Sequence, residues 1–324
     1  MHSRKKASPP RRDQGPAQTG TGVRTARASG EHASLRFLPE RRLGVGGLCE
    51  VHAARDLLRL EYDDGFPQVA VKCLRAEFAH SPVARRLLAR EFFVVRHVSH
   101  PGVVRVHDLH EEKGRLCLSM ELLSGRTLYD MLGGHPAGLG TAVIPLARQL
   151  FRSLALLHGL GIAHGDVKPA NLMLERDDRL VLFDFNTAEV LPQPGRAASP
   201  ISQSLRSHLG LTTYSLLHAS PERLEGGPPS FADDVFSACC TIAELLDGVH
   251  PFARRSALEA RNSGMPRPRL SIGSTPEGNM LLRGLDFSPS RRPPAPELED
   301  AFRPHNLAAR CFATLRARLT PKEV

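Results

Sequence analysis

Two short runs place two carboxylates, a lysine and a carboxamide close together: His164-Gly165-Asp166-Val167-Lys168-Pro169-Ala170-Asn171 and Phe183-Asp184-Phe185-Asn186. These residue types suit phosphoryl transfer. Asp166 can accept the proton of an incoming hydroxyl, and Lys168 can neutralise charge on the migrating group. Asn171 and Asp184 offer hard oxygen ligands of the kind magnesium takes. To converge on one nucleotide, these groups need a short loop carrying Asp166 and Asn171 and a strand ending at Asp184.

The segments upstream read as the parts that would hold such a nucleotide. Leu43-Gly44-Val45-Gly46-Gly47-Leu48-Cys49-Glu50-Val51 is a glycine-rich turn between two strands, where the backbone can approach phosphates and offer them N–H groups. Val69-Ala70-Val71-Lys72 is an apolar strand ending in one lysine. An arginine-rich helix follows and carries Glu91, which read alone would be a solvated face. Lysine is scarce: it occurs only at positions 5, 6, 72, 113, 168 and 322, against thirty-seven arginines. A chain that uses arginine wherever a positive charge suffices keeps lysine where a compact ammonium is needed, which singles out Lys72 and Lys168.

Together these motifs resemble the eukaryotic-like (Hanks-type) serine/threonine protein kinases of bacteria. The resemblance spans about residues 36 to 303 and implies an α+β, bilobal fold. A small antiparallel sheet with one helix would form residues 34–121, and a larger, mainly helical lobe residues 124–305. It makes Lys72 the clamp on the α- and β-phosphates, ion-paired to Glu91. The nucleotide would lie against Leu43, Gly44, Val45, Gly46, Gly47, Val51, Ala70, Met120, Glu121, Leu123 and Met173, with adenine at the Met120–Leu123 backbone. Ala219-Ser220-Pro221-Glu222 resembles the element that closes the activation segment, with Glu222 paired to Arg292 of a late arginine motif. Asp234 opens a buried helix and would accept N–H bonds from the catalytic loop. The implied chemistry uses ATP with Mg2+ (or Mn2+) and protein serine or threonine hydroxyls as acceptors.

Three positions depart from the family pattern. Cys49 stands for the third glycine of the loop, where a thiol above the phosphates is expected to be accessible and shielded by ATP. Asn186 replaces a glycine, and Asn is well suited to left-handed backbone. Gly165 replaces an arginine that in relatives pairs with a phosphate on the activation segment. Phosphorylation at Ser202, Ser204, Ser207, Thr212 or Thr213 is therefore expected to mark activity, not to switch it, while Ser215 is expected at Asp166 and Lys168. The loop around Gly165 also resembles aminoglycoside- and choline-type kinases, but Lys168, Pro221-Glu222 and Arg292 favour a protein substrate. The presence of Lys72, Asp166 and Asp184 argues against a pseudokinase scaffold.

Composition sets the remaining bounds. Residues 1–33 nearly lack large apolar side chains and read as a disordered basic tail. Residues 1–30 hold seven Lys/Arg against one Asp, so +6 of the net +9 belongs to them. Nucleic acid is not expected as a partner except through that tail. No apolar run is long enough to span a bilayer, so a cytoplasmic protein is expected. The six cysteines lack Cys-x-x-Cys spacing and read as reduced, buried thiols. His97, His100, His107 and His110 straddle a helix end, a turn and a strand, and are not expected to share a metal. Strands are expected at 36–43, 50–56, 68–74, 103–109 and 115–121. Helices are expected at 83–98, 127–132, 141–160, 231–246, 253–262, 276–284 and 295–302, with a helical extension over 306–324.

Overall fold

Alternation in Gln68–Leu74 explains the centre of the small lobe. Val69, Val71 and Cys73 point to one face of the strand, and Ala70, Lys72 and Leu74 to the other. A computed structural model describes residues 36–62, 64–133, 135, 137–192 and 215–303. The tail over 1–33, the extension over 306–324 and the five phosphosite candidates lie outside the described residues.

Five antiparallel strands form the small lobe in the order β1-β2-β3-β5-β4: β1 (Phe37–Val45), β2 (Cys49–Asp56), β3 (Gln68–Leu74), β4 (Val106–Glu112) and β5 (Arg115–Glu121). On one face Leu74, Leu118 and Cys49 pack with Ala84 and Leu88 of helix α2 (Pro82–Val95). That helix starts at Ser81, whose hydroxyl accepts the Ala84 N–H, with Pro82 in the first turn. The small lobe has a second helix that the sequence did not suggest, α1 (Leu57–Glu61), capped by Asp56. The expected 103–109 strand is shifted. Val103 and Val104 pair instead with Leu182 of the helical lobe, so β4 begins at Val106.

The larger lobe packs around α4 (Ile144–Gly159) and α6 (Phe231–Asp247), whose Phe151, Leu154, Phe236 and Ile242 are fully buried. Helix α6 is capped by Ser230 and stopped by Gly248, which has φ 71°. Around them lie α3 (Leu128–Gly133), α5 (Pro221–Leu224), α7 (Ala257–Asn262), α8 (Pro276–Gly284) and α9 (Ala295–Ala301). Helix α7 starts later than expected. Ala253 and Arg254 have positive φ, and the Ser256–Glu259 capping box sets the first turn. Short strands complete the lobe: β6 (Arg126–Thr127), β7 (Ile162–Ala163), β8 (Leu172–Leu174), β9 (Leu180–Leu182) and β10 (Glu189–Val190). They are too short to show a period, and their role is to carry loops.

The expectation that all cysteines are reduced thiols is corrected. Cys73 and Cys117 are direct partners across β3 and β5, with Cα atoms 4.1 Å apart, and form a disulfide. Strand pairing joins residues 44 positions apart, which no local spacing reveals. Cys239 and Cys240 are buried free thiols, as expected, and Cys49 is also a buried free thiol; Cys311 lies outside the described residues. The four histidines do not form one metal group among the described residues.

Candidate active site

Lys72 sits in the middle of β3 on the face turned to the cleft between the lobes. Its Nζ donates to both carboxylate oxygens of Glu91 at 2.8 Å and to Asp184 Oδ1 at 2.7 Å. Burial alone would lower the lysine pKa, but the charges of Asp184 and Glu91 outweigh it and raise it. Burial would likewise raise the Asp184 carboxyl, yet the charge and hydrogen bond of Lys72 hold it below the usual carboxylate value. Glu91 faces inward from α2 and is 5 % exposed, so it is a buried partner and not part of a solvated face.

The loop from His164 to Asn171 is hung on Asp234. The Asp234 carboxylate accepts the N–H groups of His164 and Gly165, both at 2.7 Å, and contacts His158 Nε2 at 3.0 Å. Asp166 stands beyond this anchor. Its Oδ2 accepts from Lys168 Nζ at 2.6 Å and its Oδ1 from the Ser215 N–H at 3.0 Å. Ser215 thus reaches Asp166 through its backbone. Asn171 donates its amide nitrogen to the Asp166 carbonyl at 2.9 Å and to Asp166 Oδ2 at 3.2 Å, in the short helical turn Pro169–Asn171. Glu222 and Arg292 pair as expected, at 2.9 Å through Nη2. Arg292 also donates to the carbonyls of Ala232, Asp286 and Phe287.

A cleft of about 700 Å³ joins the two sets. Leu43, Gly44, Val45, Gly46, Gly47, Val51, Ala70, Met120, Glu121, Leu123 and Met173 all line it, together with Lys72, Asp166, Lys168 and Asp184. Asn171 does not: it is 4 % exposed, behind Asp166.

A family model, the protein kinase domain, matches residues 37–292. The chain belongs to the protein kinase family. It is similar to the serine/threonine-protein kinase PknB of Mycolicibacterium smegmatis, 32 % identical over 81 % of the chain and 41 % of the relative. It is also similar to PknH of Mycobacterium bovis, 30 % identical over 78 % of the chain and 41 % of the relative. Pkn2 of Myxococcus xanthus is 32 % identical over 86 % of the chain and 33 % of the relative. The chain therefore spans about two fifths or less of the length of these relatives.

Within this kinase domain two of the three departures, Cys49 and Asn186, resolve differently from expectation. Cys49 borders the cleft but is largely buried: it is 8 % exposed, on the inward face at the start of β2, and burial pushes its thiol up to about 12. Asn186 does not take the left-handed backbone. Asp184 does, at φ 64°, and Asn186 sits in the helical turn Phe185–Thr187 with its Nδ2 donating to Asp184 Oδ1 at 2.9 Å. Gly165 has φ 76°, and a Cβ there would come within 3.0 Å of Pro229 and 3.1 Å of the Thr187 carbonyl. Thr187 itself escaped the sequence reading. It lines the cleft, and its hydroxyl donates to the His164 carbonyl at 2.8 Å, tying the segment after Asp184 to the catalytic loop. A hydroxyl three residues past an aspartate carries no recognisable signal.

Proposed function

We propose that the chain transfers the γ-phosphoryl group of ATP to serine or threonine hydroxyls of proteins. The observation that carries this reading is the convergence on one cleft of two separately held groups, Lys72 with Glu91 and Asp184, and Asp166 with Lys168 and Asn171. Lys72, fixed by Glu91, binds the α- and β-phosphates. Gly44 and Gly46 have neither positive φ nor a close protein neighbour that a Cβ would strike, so the room above them suits a ligand's phosphates. The Glu121 N–H is already given to the Arg105 carbonyl, which leaves Leu123 to meet the purine edge. Val51 and Ala70 above, and Met173 below, enclose the ring.

The donor set fits magnesium or manganese. Asp184 stays ionised, and among the described residues both its protein hydrogen bonds go to Oδ1, leaving Oδ2 for a ligand. Asn171 spends its amide nitrogen on Asp166, so its oxygen is the remaining donor. When bound, the ion would neutralise phosphate charge. Asp166 accepts the proton of the acceptor hydroxyl, oriented by Lys168 and the Ser215 N–H. Lys168 follows the charge on the transferred group. ATP as donor places the activity in the cytoplasm, and no helix among the described residues is long and apolar enough to cross a membrane.

The test is phosphoryl transfer from γ-labelled ATP to the chain itself and to a generic basic protein, followed by phosphoamino-acid analysis. Phosphoserine or phosphothreonine is expected. Label appearing only on choline or an aminoglycoside would establish the small-molecule reading, and no transfer at all would establish a scaffold.

A further inference from the structure

The outer face of the small sheet, turned away from the cleft, carries chemistry that phosphoryl transfer does not use. Strand pairing lines up Glu50, Cys73, Cys117 and His110 across β2, β3, β5 and β4 as direct partners. Glu112 lies two residues beyond His110, hence on the same face. The ligand atoms of His110, Glu112 and Cys117 lie within 4.8 Å of one another, and Cys73 is bonded to Cys117. Both ring nitrogens of His110 are buried with no hydrogen-bond partner among the described residues, an arrangement that leaves the imidazole's polar atoms unsatisfied. Phe37 lies against that ring, with centroids 4.6 Å apart and the planes tilted by 34°. Glu50 is committed to Arg115. A separate cavity of about 240 Å³ opens beside Cys73, Cys117 and Glu112.

We propose that, when the disulfide is reduced, Cys73, Cys117, His110 and Glu112 form a four-coordinate zinc site. Two sulfurs, one nitrogen and one oxygen are ligands zinc takes tetrahedrally, with bonds of about 2.0–2.3 Å. His110, Glu112 and Cys117 need only local closing, and the Cys73 sulfur, once released from Cys117, has to turn toward them. A dithiol reductant supplies two electrons and two protons. The Sγ–Sγ bond breaks, two thiols form, and the reductant becomes a disulfide. Zinc then displaces the two thiol protons to solvent and binds two thiolates. Oxidation by a peroxide reverses this: two thiolates lose two electrons, the disulfide re-forms, zinc leaves, and the peroxide is reduced to water with protons from solvent. Metal and disulfide thus exclude each other at the same two sulfurs. The site is independent of the proposed kinase activity.

The test uses the full chain with Zn2+ and Co2+ as probes. After anaerobic reduction and gel filtration, one zinc per chain is expected. After peroxide oxidation, zinc is expected to be lost. Cobalt in the reduced chain is expected to show tetrahedral d–d bands and a thiolate-to-cobalt charge-transfer band. Cys117→Ser should weaken the charge-transfer band, and His110→Ala should lose stoichiometric metal with unchanged far-UV dichroism. Cys311→Ser should change neither. A reduced chain with no stoichiometric metal overturns the proposal, as does metal retained by the oxidised chain. Metal unaffected by Cys117→Ser and His110→Ala lies elsewhere and overturns it too. Should Cys117→Ser fail to fold, the wild-type cobalt spectrum decides, because the absence of a sulfur band rejects the site.

Discussion

The kinase domain holds two kinds of buried charge, and they are partnered differently. In the cleft, Lys72, Glu91, Asp184, Asp166 and Lys168 are held mainly by one another. Behind it, Asp234 and Arg292 are held largely by the backbone: two N–H groups for the aspartate, three carbonyls for the arginine besides Glu222. Side-chain partners can be exchanged for a phosphate or a metal ion at little cost to the fold. Backbone partners cannot leave. The first set is built for chemistry and the second for position.

Substitutions can break that distinction. The largest effect is expected at Lys72. Lys72→Met should lower phosphoryl transfer on the order of a thousandfold, about 4 kcal/mol of transition-state stabilisation, in initial-rate assays. Its melting temperature should stay close to wild type, since methionine replaces the stem. A variant that instead unfolds would move Lys72 into the structural set.

Arg292→Ala should behave in the opposite way. It leaves Glu222 without its guanidinium and three carbonyls without a donor, and should cost about 3–5 kcal/mol in urea unfolding. The transfer rate per folded molecule should change far less than in Lys72→Met. The carboxyl of Glu222 sharpens the same point through pH. Burial raises it, but the Arg292 hydrogen bond and charge outweigh that and hold it below its ordinary value. Such a depressed carboxylate contributes stability above its unfolded pKa, and that stability is lost as pH falls through the folded one. The acid limb of the wild-type stability curve should therefore flatten in Arg292→Ala.

Gly165 belongs to the positional set through its backbone alone. Gly165→Ala should cost about 1–2 kcal/mol, because a left-handed alanine is strained and its Cβ meets Pro229. An unchanged unfolding midpoint would show that the loop relaxes freely. The smallest structural effect is expected at Cys49. With a thiol pushed up to about 12, its alkylation at pH 8 should be about a thousandfold slower than that of an ordinary thiol, and should accelerate about tenfold per pH unit. Mass-spectrometric labelling rates check this. Fast labelling would mean that the start of β2 opens in solution.

The two sets were not equally legible in the sequence. Asp166, Asn171, Asp184 and Lys72 stand in runs whose spacing itself carries the chemistry, and the scarcity of lysine marked Lys72 and Lys168 without any structure. Glu91 could be named only through the resemblance, because an arginine-rich helix gives no sign of which face is buried. The disulfide was out of reach because Cys73 and Cys117 meet through strand register, while each alone looks like an ordinary apolar strand position. The residue type of Asn186 points to backbone tolerance, whereas its side chain supports Asp184 and the aspartate bears the positive φ. Local propensity does not say which of two neighbouring residues will take the turn.

The most direct test of the central claim is the rate of γ-phosphoryl transfer by Asp184→Ala beside wild type, each with its melting curve. Asp184 offers its carboxylate to Lys72 and to a metal, but holds no backbone group in the described structure. A fully folded protein is expected, in which both autophosphorylation and transfer to an added protein substrate disappear. A folded Asp184→Ala protein that still labels serine or threonine at the wild-type rate would contradict it.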